Sequence, residues 1–340
     1  KAIRRQRQMC IRDRNRAVVA LIGAAVMIIS GILNQAEAVS GIDFNTLALL
    51  VGMMMIVAVS EKSGIFQFVA IWAAKKVKAS PRGLLAALAL VTALFSGFLD
   101  NVTTVLLIAP VTFQVTRKLK VSPYPYLLVE IFASNIGGTA TLIGDPPNIL
   151  IGSALNLTFM DFVYNLAPVV LTTMVVLVAA FDFFWKRSLV ASDENRKIVM
   201  KMNEFDAITD RPLLFKCLVV LALVIAGFIS AKEIGLENGT IALLGAAVLL
   251  FLYTLGTPGE DRDGKVQEIF GMVDWITIFF FTGLFVIVSG LDRTGVLEAL
   301  GHKFVDMTGG SIKKLSLLIL WSSAVVSSAI DNIPFVSTMI

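Results

Sequence analysis

Long apolar runs, broken at intervals by short polar clusters, organise this chain. A helix needs about 20 apolar residues to cross the hydrocarbon core of a bilayer. Runs of that order cover 17–33, 43–60, 162–185, 212–230, 239–255 and 274–291. Two shorter runs, 65–74 and 295–307, predict helices lying along the interface; the first leads into Lys75, Lys76, Lys78 and Arg82.

Two apolar segments have polar centres. Segment 83–117 is bounded by Arg82 on one side and Arg117, Lys118 and Lys120 on the other. Its middle reads Ser96-Gly97-Phe98-Leu99-Asp100-Asn101-Val102-Thr103-Thr104. With both basic ends in the cytoplasm, it enters and leaves by one face, as a re-entrant hairpin. Segment 124–156 is interrupted from Asn135 to Asn148 by paired glycines and paired prolines, which cannot continue a regular helix. It predicts a discontinuous span. Irregular backbone at membrane depth is tolerated only inside protein or beside water.

The pattern repeats. Residues 43–100 match 274–331 without a gap, at an offset of 231. Gly52 falls on Gly283, and Glu61-Lys62-Ser63-Gly64-Ile65 falls on Asp292-Arg293-Thr294-Gly295-Val296. Ser96 falls on Ser327, and Asp100-Asn101 on Asp331-Asn332. Counting spans puts Asp43 outside and Asp274 inside, so the repeats are inverted. Arg293, His302, Lys303, Lys313 and Lys314 then lie outside, against the positive-inside bias. The N-terminal basic cluster and Lys186-Arg187 support the inverted count.

The expected fold is therefore an all-α polytopic membrane protein with two inverted repeats, re-entrant hairpins and discontinuous helices. Residues 1–16 form a basic cytoplasmic N-terminus. The first transmembrane repeat covers 17–187, with its hairpin at 83–117 and its broken helix at 124–156. A polar cytoplasmic linker covers 188–211, and an incomplete second repeat covers 212–340. The chain opens on Lys1 and stops at Ile340 within an apolar run. A counterpart of the broken helix is expected at 355–387, at the same offset.

Composition narrows the class. Of 340 residues, 56% are hydrophobic and 16% charged, against about a quarter charged in soluble domains. Seven cations and one acid within 1–16 read as an anchor beside a first membrane helix, not as a nucleic-acid site. Two distant cysteines and a single histidine argue against a disulfide framework, a metal cluster and a Ser-His-Asp triad. No enzyme, cofactor or structural metal is expected.

Charged groups at bilayer depth mark pathways or paired sites. Asp100 and Asp331 occupy the two hairpin tips, where each can bind Na+, shuttle a proton or cap a half-helix. Asn101, Thr103 and Thr104 add neutral oxygens and amide donors beside Asp100. Gly137 and Gly138 allow close backbone approach, Thr139 and Thr141 present hydroxyls, and Asp145 precedes Pro146-Pro147. Glu130, inside an apolar half-helix, is a proton-relay candidate or pairs with a buried donor. Asp182, near Lys186, is read as an interfacial pair.

The stretches from Phe95 to Thr104 and from Asn135 to Asn148 resemble the ion transporter superfamily. Within it, the chain is most similar to the permease group of P protein, arsenite efflux permeases and NhaD-type antiporters. Divalent anion:sodium symporters and citrate transporters are more distant relatives. The resemblance implies one ion site per repeat. Ser96, Asp100, Asn101 and Thr103 would join Asn135, Gly137, Thr139 and Asn148 in the first. Ser327, Asp331, Asn332 and Pro334 would belong to the second. Na+ could sit at Asp100, Asn101, Asp331 and Asn332. The sodium–dicarboxylate branch carries Ser-Asn-Thr at its tip where this chain has Asp-Asn followed by Val or Ile. That acid weakens the case for a dianion and strengthens cation or proton coupling.

The expectation is a secondary active permease for a small inorganic or organic anion, arsenite- or citrate-type, coupled to H+ or Na+. Na+/H+ exchange is the alternative, and a channel or membrane sensor a third reading. It would reside in the cell inner membrane as a multi-pass protein, and family members are commonly homodimers.

Overall fold

The computed structural model describes residues 2–327 and 332–339, without the side chains before Arg16 or those of Glu260, Pro334, Ser337 and Thr338. The described residues are helical throughout, joined by turns and short loops. In chain order the helices are α1 (Ala2–Ile29), α2 (Gln35–Ser40), α3 (Phe44–Lys62), α4 (Ile65–Lys76), α5 (Pro81–Ser96) and α6 (Asn101–Leu119). Then follow α7 (Tyr124–Gly138), α8 (Pro146–Ala154), α9 (Phe159–Trp185), α10 (Asp193–Met200), α11 (Arg211–Ile234) and α12 (Asn238–Thr254). The last are α13 (Gly259–Met272), α14 (Trp275–Arg293), α15 (Val296–Thr308), α16 (Ile312–Ser327) and α17 (Asn332–Met339).

Four of these, α3, α9, α11 and α14, are long and apolar enough to cross a membrane. The pair α15–α16, bent by 119°, makes a fifth candidate. Large apolar side chains such as Leu171, Val175, Leu223 and Phe251 are exposed on these and neighbouring helices. Such a surface is stable only against lipid, and the chain is an all-α polytopic membrane protein.

The chain falls into two compact units. One holds residues 1–50, 153–155 and 274–340. In it α1 packs on α14 so closely that a Cβ on Gly283 would fall 2.6 Å from the Ala20 carbonyl carbon. The Arg16 guanidinium lies over the Phe280 ring at 5.2 Å. Asn34 and Glu37 form a capping box at the start of α2, and Glu37 pairs with Arg293.

The other unit holds residues 51–152 and 156–273. Its core joins α4, α5, α6, α7 and α9 through Ala70, Leu84, Ile108, Val115, Val129 and Met174. A Cβ on Gly52 would fall 2.6 Å from the Ala242 carbonyl carbon, as at Gly283. Lys62 pairs with Glu268.

Boundaries recur at the offset of 231. Helix α14 begins and ends that far beyond α3, α16 that far beyond α5, and α17 starts that far beyond α6. Asp43 caps α3 through Thr46 N at 3.0 Å, and Asp274 caps α14 through Thr277 N at 3.2 Å. The ion pairs follow the same register: Glu37 corresponds to Glu268, and Lys62 to Arg293.

Residues 188–211 are more ordered than a linker. They form α10 and a 3-10 turn at Glu204–Ala207, and they close the ends of three helices. Asn195 donates to the Leu119 carbonyl at 3.2 Å, and Arg196 to the Lys78 carbonyl at 3.3 Å. Thr209 N donates to the Ser63 carbonyl at 3.1 Å. Lys75 donates to the Met202 carbonyl at 3.0 Å and pairs with Glu204. Leu189 and Val199 are buried, which gives the segment a reason to fold. The stretch between the apolar runs 239–255 and 274–291 is itself largely helical, as α13. Asp182 pairs with Arg82 of α5, not with Lys186, whose ammonium sits 4.8 Å over the Phe183 ring.

Candidate functional site

Four helix ends meet where α5 gives way to α6 and α7 to α8, within one compact unit. The first break spans 97–100, because Asp100 takes an extended backbone and caps α6. Its Oδ1 accepts from Thr103 N at 2.9 Å, and its carbonyl accepts from the Thr104 hydroxyl at 2.9 Å. The second break spans 139–145 and holds Gly144; the paired glycines expected to interrupt the helix instead form the last residues of α7, and the paired prolines open α8.

Close backbone contact binds the two breaks together. A Cβ on Gly137 would lie 2.3 Å from the Ala93 carbonyl oxygen. One on Gly138 would lie 2.7 Å from the Gly144 oxygen, and one on Gly144 would lie 2.5 Å from the Ser96 oxygen. Only glycine fits these positions without moving backbone.

Hydrogen bonds complete the joint. The Ser96 hydroxyl donates to the Ser134 carbonyl at 2.7 Å, and the Thr141 hydroxyl donates to the Gly97 carbonyl. Asn148 donates to the carbonyls of Thr141 at 2.8 Å and Thr139 at 3.2 Å, which would otherwise be orphaned in the break. Asn101 Nδ2 donates to Asn135 Oδ1 at 2.9 Å and ties the hairpin tip to the broken helix. The Thr139 hydroxyl donates to the Asn135 carbonyl at 2.9 Å.

These contacts sort the expected residues. Ser96, Thr104, Thr141 and Asn148 are buried and spend their polar atoms on backbone. Asp100, Asn101, Thr103 and Thr139 are partly accessible, and Asn135 is exposed. Asp145 is partly accessible and directly precedes α8; its carbonyl accepts from Asn148 N at 3.0 Å. Sequence reasoning missed Ser134, whose carbonyl anchors Ser96, and Ala93, which receives Gly137. Only the small side chain of Ala93, one helical turn before Gly97, could have hinted at close packing.

The second set is less completely described. Ser327 ends α16 and Asn332 begins α17. Asp331 and the side chain of Pro334 lie outside the described residues. Among the described residues, no group of three or more His, Cys, Asp or Glu side chains could hold a metal ion.

The N-terminus of α6 brings its first backbone N–H groups and a positive dipole end to the joint, whereas α8 opens on Pro146 and Pro147, which carry no N–H, and its Asn148 N–H is spent on the Asp145 carbonyl. Glu130, on α7, is fully buried and bonded to the Thr112 hydroxyl of α6.

Broken helices whose polar ends converge inside an apolar bundle are a feature of multi-pass membrane transporters, and comparison with known proteins shows that class. The model of the citrate transporter family, CitMHS, matches residues 7–340. An uncharacterized transporter of Mycobacterium tuberculosis is 46% identical over 326 residues, covering 94% of this chain and 74% of its own. The 46 kDa membrane protein of Mycobacterium leprae is 41% identical over 329 residues, covering 96% and 75%. The human P protein is 30% identical over 407 residues, covering 96% of this chain and 48% of its own. The chain belongs to the citrate transporter family.

Proposed function

We propose that this protein is a secondary active transporter that moves a small anion across a bacterial inner membrane, coupled to H+ or Na+. The observation that carries this reading is the meeting of the two helix breaks, with the α6 N-terminus beside Asn101, Asn135 and Thr139. Backbone amides at a helix start bind anions without a cationic side chain. No Lys or Arg occurs between 83 and 116 or between 121 and 185, so the amides would carry the binding.

The substrate class is a carboxylate of the citrate type, or an arsenite-type oxyanion. Asp100 adds a negative charge beside the amides. That charge suits a co-bound Na+ or proton, with Asn101 and backbone carbonyls as further oxygen ligands. The constant 231-residue offset in helix bounds, caps and ion pairs supports the two repeats that alternating access would use. By the resemblance, Ser327, Asp331 and Asn332 would belong to a second ion site, that of the second repeat. The same Asp100 favours the second reading, Na+/H+ exchange.

The test is flux in proteoliposomes holding the full-length protein, with labelled citrate, arsenite and sodium each supplied under Na+ or pH gradients. Gradient-driven uptake of an anion that is lost in Asp100→Asn supports the first reading. Sodium movement against protons, with no anion movement, supports the second. Ungated flux of any ion down its own gradient alone would replace both with a channel.

A further inference from the structure

Glu130 is the one acid of the α5–α6–α7 bundle that is fully buried. Its Oε1 meets the Thr112 hydroxyl, and its Oε2 has no hydrogen-bond partner. An ionised carboxylate in that setting would be isolated from water and half unsatisfied. Such a group neutralises instead of remaining charged.

The helices packed against α7 hold few charges that could change this. Helix α5 carries Arg82 and α9 carries Asp182, and these two are paired with each other. Helix α6 carries Arg117 and Lys118 in its last turn. Helix α9 also carries Asp161, which is engaged in the Thr158 capping box. On α7 itself, the Tyr126 hydroxyl donates to the Pro81 carbonyl at 3.0 Å. Among the described residues, no cation pairs with Glu130.

The position of this acid links it to the anion site. Glu130 lies one helical turn before Ser134, whose carbonyl holds Ser96, and five residues before Asn135, which holds Asn101. The opposing Thr112 lies on α6, the helix whose N-terminus Asp100 caps. A change at the Glu130–Thr112 contact therefore acts on both helices that present the site.

We propose that Glu130 is the proton-binding residue that couples transport to H+. This rests on the transporter reading above. In the packed state described here the side chain is the neutral acid. In the alternate state α6 and α7 part at Thr112 and water reaches the carboxyl. The acid O–H bond then breaks, water takes the proton, and a hydrated carboxylate remains. Repacking requires a proton to be taken up again, because the bare carboxylate is too costly to bury.

Glu130→Gln keeps the shape and the bond to Thr112 but cannot titrate. Infrared spectroscopy of the purified full-length protein at neutral pH should show a protonated-carboxyl band that is missing in E130Q. Identical spectra would overturn the proposal, whatever the protein transports. In proteoliposomes, with whichever anion the wild type moves, pH-driven accumulation should fall by at least about tenfold in E130Q, while exchange at equal pH stays within about twofold. Undiminished pH-driven accumulation, or equal loss of exchange and accumulation in a monodisperse protein, would overturn it. If E130Q does not fold, Thr112→Val serves instead. It should shift the pH dependence of accumulation, and an unchanged profile would count against the idea. A wild type that moves no ion sinks the transporter reading alone, since the infrared result still decides the protonation state of Glu130.

Discussion

Gly137 of α7 sits against Ala93 of α5 with no room for a side chain: a Cβ there would fall 2.4 Å from the Ala93 Cα. This contact fixes the distance between the hairpin arm and the broken helix, and so the width of the polar joint at their ends. Gly137→Ala should destabilise the full-length protein by about 1–3 kcal/mol, the usual cost of overpacking. It should also reduce flux. Thermal unfolding in detergent checks the first effect, and wild-type stability in the variant would show that the helices can separate freely.

The Asn101–Asn135 bond is a side-chain contact across the site, so it can be measured as a coupling. Alanine at both positions, singly and together, should give a coupling energy of about 0.5–1.5 kcal/mol in stability. Additive effects would mean that the two amides act separately, each free for ligand.

Gly64 and Gly295 are repeat partners with φ of +80° and +72°. Their surroundings differ. A Cβ on Gly64 would lie 1.9 Å from the Ala207 carbonyl oxygen, whereas nothing lies within 4 Å of Gly295. Gly295→Ala should cost about 1 kcal/mol from backbone strain alone. Gly64→Ala should cost more and loosen residues 188–211. Limited proteolysis of the two variants would show it, and equal cleavage at that segment would contradict the prediction.

Bonding to the Lys75 ammonium holds the Glu204 carboxyl below its ordinary value of 4.5. A depressed carboxyl stabilises the fold above its unfolded value, and that contribution is lost as pH falls through the folded value. The clasp of 188–211 on α4 should therefore open under acid, at a pH below 4.5. Proteolysis of that segment should rise on acidification in the wild type. Glu204→Gln should already be cleaved faster at neutral pH and show little further change.

Much of the architecture was readable from local pattern. Apolar runs of bilayer length, the basic ends of 83–117 and the Gly-Gly and Pro-Pro pairs need no partner to be recognised, because lipid forbids unsatisfied backbone wherever it falls. The same logic located the polar tip at Asp100 and a break between Asn135 and Asn148, although α7 continues to Gly138 and the break opens only at Thr139. The folding of 188–211 escaped it, since that segment becomes ordered by capping helix ends brought near only by the fold.

By itself the sequence determined the membrane class, the 231-residue repeat and the residues at the helix breaks, because these follow from hydropathy, spacing and backbone freedom along one chain. Tertiary structure alone decided which of those residues hold the joint and which face outward, and that Asp182 meets Arg82 instead of Lys186. It also decided that Glu130 is bonded on one oxygen and bare on the other. Burial and hydrogen bonding depend on atoms far apart in the chain, and their energy is set only when the helices pack.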